Sequence, residues 1–112
     1  DISIKRDWGW APNYVQAMWK ILQQKEAEDF VIATGYLNEL SEFIQNAFSS
    51  VNLNWENYVT SNQSLHRPSE IRSVYGCPEK ANKKLNWKAE KIMPEVAQLM
   101  THYEFEKLKD RR

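Results

Sequence analysis

The feature that most limits the possible folds is a short apolar run, Phe30-Val31-Ile32-Ala33, which ends at Thr34-Gly35. A continuous apolar run of this length, followed by turn-forming residues, is typical of a strand that is buried on both faces. Such strands normally lie inside parallel sheets, with other strands on either side. The chain offers few other strand-like segments. We therefore predict that this strand belongs to a sheet whose other strands lie outside the sequence.

Helical periodicity accounts for most of the other apolar residues. Pro12 fits the first turn of a helix, and the apolar stripe that follows is wide enough to need a broad partner such as a sheet. Three further helices are predicted, beginning near Asn38, Pro78 and Pro94. Alternating or β-compatible segments predict short strands at 2–8 and 55–59. These elements predict an α+β fragment of an α/β enzyme, with about four helices and two or three short strands.

Charge and cysteine content restrict the class of protein. Fifteen basic and fifteen acidic residues cancel, so the chain lacks the net positive charge typical of nucleic-acid binding. No segment approaches the roughly 18 consecutive apolar residues of a membrane span. The single cysteine, Cys77, cannot form an internal disulfide, which favours a reducing, cytoplasmic setting. The chain starts at Asp1 with neither Met nor a signal peptide, and we expect it to be a piece of a longer protein.

The sequence contains no recognisable catalytic or cofactor motif. It has no Gly-x-Gly-x-x-Gly loop, no P-loop and no metal-type spacing of Cys and His. His66, His102 and Cys77 have no recognisable catalytic partners, and a surface or packing role suits each of them better. We therefore assign no catalytic, cofactor-binding or metal-binding residue to this chain.

Two arginines beside turn-forming residues remain as candidates for a binding site. Arg6 precedes Asp7-Trp8-Gly9, and Arg67 precedes Pro68, with Glu70 three residues further on. The planar guanidinium can grip phosphate oxygens in pairs, and a nearby carboxylate can accept from a ribose hydroxyl or a guanine edge. From spacing alone, each arginine is more often a surface or ion-pair residue. Both interpretations remain open on these grounds.

Several segments occur together, in order and across nearly all of the chain. The most specific are Arg6-Asp7-Trp8-Gly9, Phe30-Val31-Ile32-Ala33-Thr34-Gly35 and Arg67-Pro68-Ser69-Glu70, and they are accompanied by Tyr14-Val15, Ala17-Met18-Trp19, Trp55-Glu56 and Lys84-Leu85. No single one of them is diagnostic. In combination the sequence resembles the GDP-mannose 4,6-dehydratase family, with departures at Trp10, Asn13, His66, Cys77 and Ile92.

The resemblance implies a fold and an activity. Members of the family are extended short-chain dehydrogenases/reductases with an NADP-binding Rossmann domain and a smaller C-terminal domain for the sugar nucleotide. They convert GDP-mannose to GDP-4-keto-6-deoxymannose. Residues 1–112 would be the substrate-binding part, with 1–35 contributing a helix and a strand to the Rossmann domain. The family's catalytic and cofactor residues lie upstream, so this chain alone is expected to be inactive.

The resemblance also implies roles for three residues and for the partners. Arg6 and Arg67 would meet the GDP phosphates or ribose, and Glu70 would accept from a ribose hydroxyl. The expected partners are GDP-mannose and further copies of the protein in a homo-oligomer, with no nucleic acid or membrane. Two alternatives remain: another sugar-nucleotide dehydratase, epimerase or reductase of the same superfamily, or a non-catalytic binding or assembly module.

Overall fold

The computed structural model describes residues 1–111, and these form four α-helices, two short strands and two 3₁₀ helices. The elements are β1 (Lys5–Arg6), α1 (Ala11–Leu22), β2 (Asn38–Glu39), α2 (Leu40–Ser49), α3 (Glu79–Lys84) and α4 (Met93–Asp110), with 3₁₀ helices at Trp55–Asn57 and Gln63–Leu65. Strands β1 and β2 pair antiparallel, with Lys5 opposite Glu39. This content confirms the predicted α+β class.

A small core lies between α1 and the segment that contains α3. Its buried members are Ala17, Ala81, Leu85 and Trp87, and the partly buried Tyr14, Ile21, Phe30, Ile32 and Ala89 pack against them. The Trp87 indole N–H donates to the main-chain oxygen of Asn13 at 2.9 Å. The Asn13 side-chain oxygen accepts from the Lys91 N–H at 3.2 Å. Asn13 therefore joins α1 to the segment before α4 and satisfies polar groups in a buried region.

Helices α2 and α4 pack against each other in a second group of contacts. His102 lies on α4, and its Nε2 is 3.0 Å from the main-chain oxygen of Ser50. This contact gives His102 the packing role that the sequence favoured. Ile92 offers no side-chain acceptor at the start of α4, but the Glu95 carboxylate accepts from the Ile92 N–H at 2.8 Å. Half of a capping box is thus present despite the apolar N-cap.

The predicted strand at Phe30–Ala33 is not part of any sheet among residues 1–111. Its pairing with strands outside this sequence therefore stays a prediction. The segment has no regular secondary structure, and Val31 is 54% exposed. The physical reason is that no strand in the described part of the chain lies alongside it, so its main-chain groups lack sheet partners. The other residues of the segment are covered: Phe30 and Ile32 pack against the core, and Ala33 is 7% exposed.

Three smaller expectations are wrong in detail. The strand predicted at 2–8 is paired only at Lys5–Arg6, and the segment 55–59 starts with a 3₁₀ helix instead of a strand. The Asn54 side chain caps that helix by accepting from the Glu56 N–H at 3.1 Å, which favours a helical turn over a strand. Asn38 does not cap α2, because it pairs with Arg6 in the sheet and the helix starts at Leu40.

The chain is flat and leaves apolar surface uncovered. Its radius of gyration is 17.1 Å, whereas a compact domain of this length has about 13 Å. It exposes 8547 Å², about 2,000 Å² more than a folded monomer of this mass is expected to expose. On α1 the uncovered side chains lie on the face away from Ala17; they are Val15, Met18, Trp19 and Leu22. The wide apolar stripe predicted from sequence is thus only half covered.

Candidate functional site

Three arginines line one open cleft beside the two-stranded sheet. The cleft has a volume of about 790 Å³, and Arg6, Arg67 and Arg72 all contribute to its wall together with Glu70 and His66. The structure therefore brings together all three residues predicted from sequence, although Arg6 and Glu70 are 64 positions apart. Arg72 and His66 are lining residues that the sequence analysis did not assign to the site.

Arg6 and Arg72 reach the cleft because their backbones meet at β1, whereas Arg67 comes from a loop. Arg6 lies on β1 itself. On the edge of β1 that β2 does not occupy, the Lys5 N–H donates to the main-chain oxygen of Arg72 at 2.7 Å, and Lys5 forms an isolated parallel bridge with Ser73. Arg67 follows the 3₁₀ helix at 63–65, in the loop that leads back to this edge. The signal for Arg72 was the β-compatible Ile71-Arg72-Ser73-Val74, which the sequence analysis left unassigned.

Arg6 and Glu70 form an ion pair at one side of the cleft. The distance from Nη2 of Arg6 to Oε1 of Glu70 is 3.1 Å, and both side chains are about a quarter exposed. Nη1 of Arg6 donates to the main-chain oxygen of Lys5 at 2.8 Å. A pair of this exposure is worth up to about 1 kcal/mol. The second carboxylate oxygen of Glu70 accepts no hydrogen bond from residues 1–111, so it is open to a donor from a ligand.

Arg67 and Arg72 present cationic groups to the same cleft. Both side chains are exposed, and within the described part of the chain no Asp or Glu lies within ion-pair distance of either guanidinium. His66 adds an imidazole whose Nε2 lies 3.3 Å from Oγ of Ser61. Planar guanidinium groups beside an open cavity suit an anion with several oxygens, such as a phosphate.

Asp7, the residue after β1, fixes the strand end next to the cleft. Its Oδ1 accepts from the Thr34 N–H at 3.2 Å and from the Thr34 hydroxyl at 2.6 Å, and its Oδ2 accepts from the Gly35 N–H at 2.9 Å. Three hydrogen bonds to one carboxylate hold the 30–35 segment against the end of β1. Gly35 has a φ of +87°, a backbone conformation that residues with a Cβ rarely adopt.

Tyr14 packs against the backbone just after Asp7. A Cβ placed on Gly9 would overlap the Tyr14 ring and hydroxyl, so this close approach requires glycine. Burial of the phenol raises the pKa of Tyr14, and the nearby negative charge of Asp7 raises it further. The Arg6-Asp7-Trp8-Gly9 segment thus has a structural role in addition to placing Arg6.

The chemistry available in the cleft is binding by charge and hydrogen bonds. Among residues 1–111, no three His, Cys, Asp or Glu side chains are grouped as metal ligands. None of the described helices combines the length and apolarity needed to cross a membrane. The cleft offers guanidinium donors for an anion, and the carboxylates of Glu70 and Asp1 as acceptors for a hydroxyl donor.

Comparison with solved structures supports the observed fold. The structure of RMD from Pseudomonas aeruginosa complexed with NADPH matches this chain with a TM-score of 0.73, covering 88% of this chain and 31% of its own. The two sequences are 19% identical, so this likeness concerns the fold alone. It is consistent with the α+β class predicted from sequence.

Comparison of sequences is more specific. GDP-mannose 4,6 dehydratase 2 of Arabidopsis thaliana is 35% identical over 106 residues, which cover 95% of this chain and 28% of the relative. GDP-mannose 4,6 dehydratase of Homo sapiens is 36% identical over 123 residues, which cover 95% of this chain and 33% of the relative. The chain thus spans about a third of the length of these relatives. The family model described as GDP-mannose 4,6 dehydratase matches residues 1–100, and the chain belongs to this family.

Proposed function

We propose that this chain is the C-terminal, sugar-nucleotide-binding part of a GDP-mannose 4,6-dehydratase, a lyase that converts GDP-mannose to GDP-4-keto-6-deoxymannose with bound NADP. Membership of the family supports the activity. Because the chain spans about a third of its relatives, the catalytic and NADP-binding residues belong to the part of the enzyme that it does not cover. The chain alone is inactive in this proposal.

The observation that carries the proposal is the meeting of Arg6, Arg67 and Glu70 in one cleft. The arginines would contact the diphosphate of the nucleotide, where guanidinium groups form paired, charge-assisted hydrogen bonds. The open Oε2 of Glu70 would accept from a ribose hydroxyl, while Oε1 remains bound to Arg6. The reacting sugar would then point toward the catalytic part of the enzyme.

The exposed face of α1 supports the proposed division into domains. Residues 1–35 would add α1 and the 30–33 segment to the Rossmann domain. That arrangement would cover Met18 and Trp19, which are 61% exposed, and would provide sheet partners for the 30–33 segment. The proposed enzyme is a cytoplasmic homo-oligomer that binds neither nucleic acid nor a membrane.

The test is steady-state kinetics of the full-length enzyme with GDP-mannose. Arg67→Ala should weaken substrate binding by about 1.5–3 kcal/mol, the range for losing hydrogen bonds to a charged group, and so raise KM about 10- to 150-fold. Because the reacting carbons lie away from the nucleotide, kcat should be largely kept, the pattern of lost uniform binding. Arg111→Ala, which removes the same charge outside the cleft, is the matched control.

Three other outcomes separate the alternatives. An unchanged KM in both Arg67→Ala and Arg6→Ala would contradict the sugar-nucleotide assignment. Turnover of a different sugar nucleotide, with the same sensitivity to Arg67→Ala, would identify a related dehydratase, epimerase or reductase. If GDP does not raise the melting temperature of the protein at all, a binding or assembly module becomes the better interpretation.

A further inference from the structure

The three arginines of the cleft differ in how far their charge is already neutralised. The Arg6 guanidinium already donates two hydrogen bonds, to the Glu70 carboxylate at 3.1 Å and to the Lys5 main-chain oxygen at 2.8 Å. Arg67 and Arg72 form none of the ion pairs found among residues 1–111. The cleft thus has one arginine that uses part of its donors within the protein and two whose donors are all available to a ligand.

The main chain of Arg72, one of the two free arginines, is hydrogen-bonded to β1. The main-chain oxygen of Arg72 accepts from the Lys5 N–H at 2.7 Å, and the next residue, Ser73, bridges to Lys5. Arg72 therefore keeps its place relative to β1 and to the cleft wall, while its side chain is exposed. Arg67 reaches the same cleft from the loop that follows the 3₁₀ helix at 63–65. The two free guanidinium groups come from separate segments and can approach different oxygens of one ligand.

We propose that Arg72 is a phosphate-binding residue which, together with Arg67, makes the cleft selective for nucleoside diphosphates over monophosphates. This inference rests on the proposed function and adds a residue to it. Each guanidinium can bind one phosphate group through paired hydrogen bonds, so two free guanidinium groups match two linked phosphates. A monophosphate occupies one of them and leaves the other unused. Arg6, which still has free N–H donors, would add a weaker contact to the diphosphate while it orients Glu70.

Calorimetric titration of the full-length protein with GDP and with GMP tests the proposal. Arg72→Ala should raise the Kd for GDP about 10- to 100-fold, the range for losing a charge-assisted contact, and should raise the Kd for GMP less than about threefold. Arg72→Lys should fall between Arg72→Ala and the wild type, because lysine keeps the charge and loses the planar fork. Arg111→Ala removes an arginine outside the cleft and should leave both titrations unchanged.

The outcomes separate this inference from the function on which it rests. If Arg67→Ala weakens GDP binding and Arg72→Ala does not, Arg72 is not a ligand contact, and the proposed function stands. If Arg72→Ala weakens GDP and GMP equally, the selectivity is wrong. If the wild type binds neither nucleotide, the proposed function itself fails. Arg72→Gln, which keeps most of the side-chain length, repeats the comparison should Arg72→Ala lower the melting temperature.

Discussion

The guanidinium of Arg6 and the carboxylate of Glu70 lie 3.1 Å apart, and this contact joins β1 to a turn 64 positions later in the chain. The two residues were predicted as separate ligand contacts. In the structure they form one unit. Arg6 donates to one carboxylate oxygen of Glu70, and the other oxygen stays available to a ligand in the cleft. Their substitutions should therefore be coupled, because each residue supports the position of the other.

A double-mutant cycle on the full-length enzyme measures this coupling. Glu70→Ala should weaken GDP-mannose binding less than Arg67→Ala does, because a ribose hydroxyl is a neutral donor. Arg6→Ala should give a coupling energy with Glu70→Ala of about 0.5–3 kcal/mol in binding, as residues in direct contact do. The measurement is the Kd for GDP-mannose in the single and double variants. Strictly additive effects would show that the ion pair does not organise the ligand site.

Asp7→Asn should destabilise the protein by about 1–3 kcal/mol, the cost of leaving a donor without its partner. The Asn side chain can offer only one acceptor oxygen, so the Thr34 or the Gly35 N–H would face an amide N–H₂ group. Urea denaturation provides the measurement. Asp29→Asn is the control, because Asp29 is exposed and forms no ion pair within residues 1–111. Equal stability of Asp7→Asn and wild type would refute the anchoring role of Asp7.

Periodicity and turn chemistry were enough to predict the four helices, whereas the assignment of Arg6, Arg67 and Glu70 to one site depended on the family resemblance. Pro12 and Pro94 mark the first turns of α1 and α4, and Arg6, Arg67 and Glu70 do share one cleft. The strand at Phe30–Ala33 could not be verified in the same way, because a strand exists only with a neighbour to pair with. Arg72 was missed for a related reason: the β-compatible residues 71–74 gave a local signal, but the place of Arg72 depends on long-range contacts with Lys5, the hydrogen bond to the Arg72 main-chain oxygen and the bridge to Ser73.

Tyr14 should make the stability of the protein fall at alkaline pH. Burial raises its phenolic pKa above the ordinary 10.0, with a further contribution from Asp7. As pH rises past 10.0, the unfolded chain loses the proton first. The contribution of Tyr14 to the free energy of unfolding is therefore complete below pH 10.0. It is lost as the pH rises through the pKa of Tyr14 in the folded state. Unfolding free energies measured between about pH 9 and 11.5 should fall less steeply in Tyr14→Phe than in wild type. Tyr75→Phe, an exposed control, should follow the wild type.

Met18→Asp should destabilise the full-length enzyme by more than about 3 kcal/mol if the outer face of α1 packs on the Rossmann domain, because an unpaired charge would then be buried. Met18 is 61% exposed in this chain and lies beside Trp19 and Leu22, so the uncovered surface is continuous and apolar. Gln16→Asp introduces the same charge at an exposed polar position of the same helix and should change stability by no more than about 0.5 kcal/mol. Thermal and urea unfolding of both variants provide the comparison. A Met18→Asp enzyme as stable as Gln16→Asp would mean that this face stays in solvent, and the assignment of residues 1–35 to the Rossmann domain would have to be abandoned.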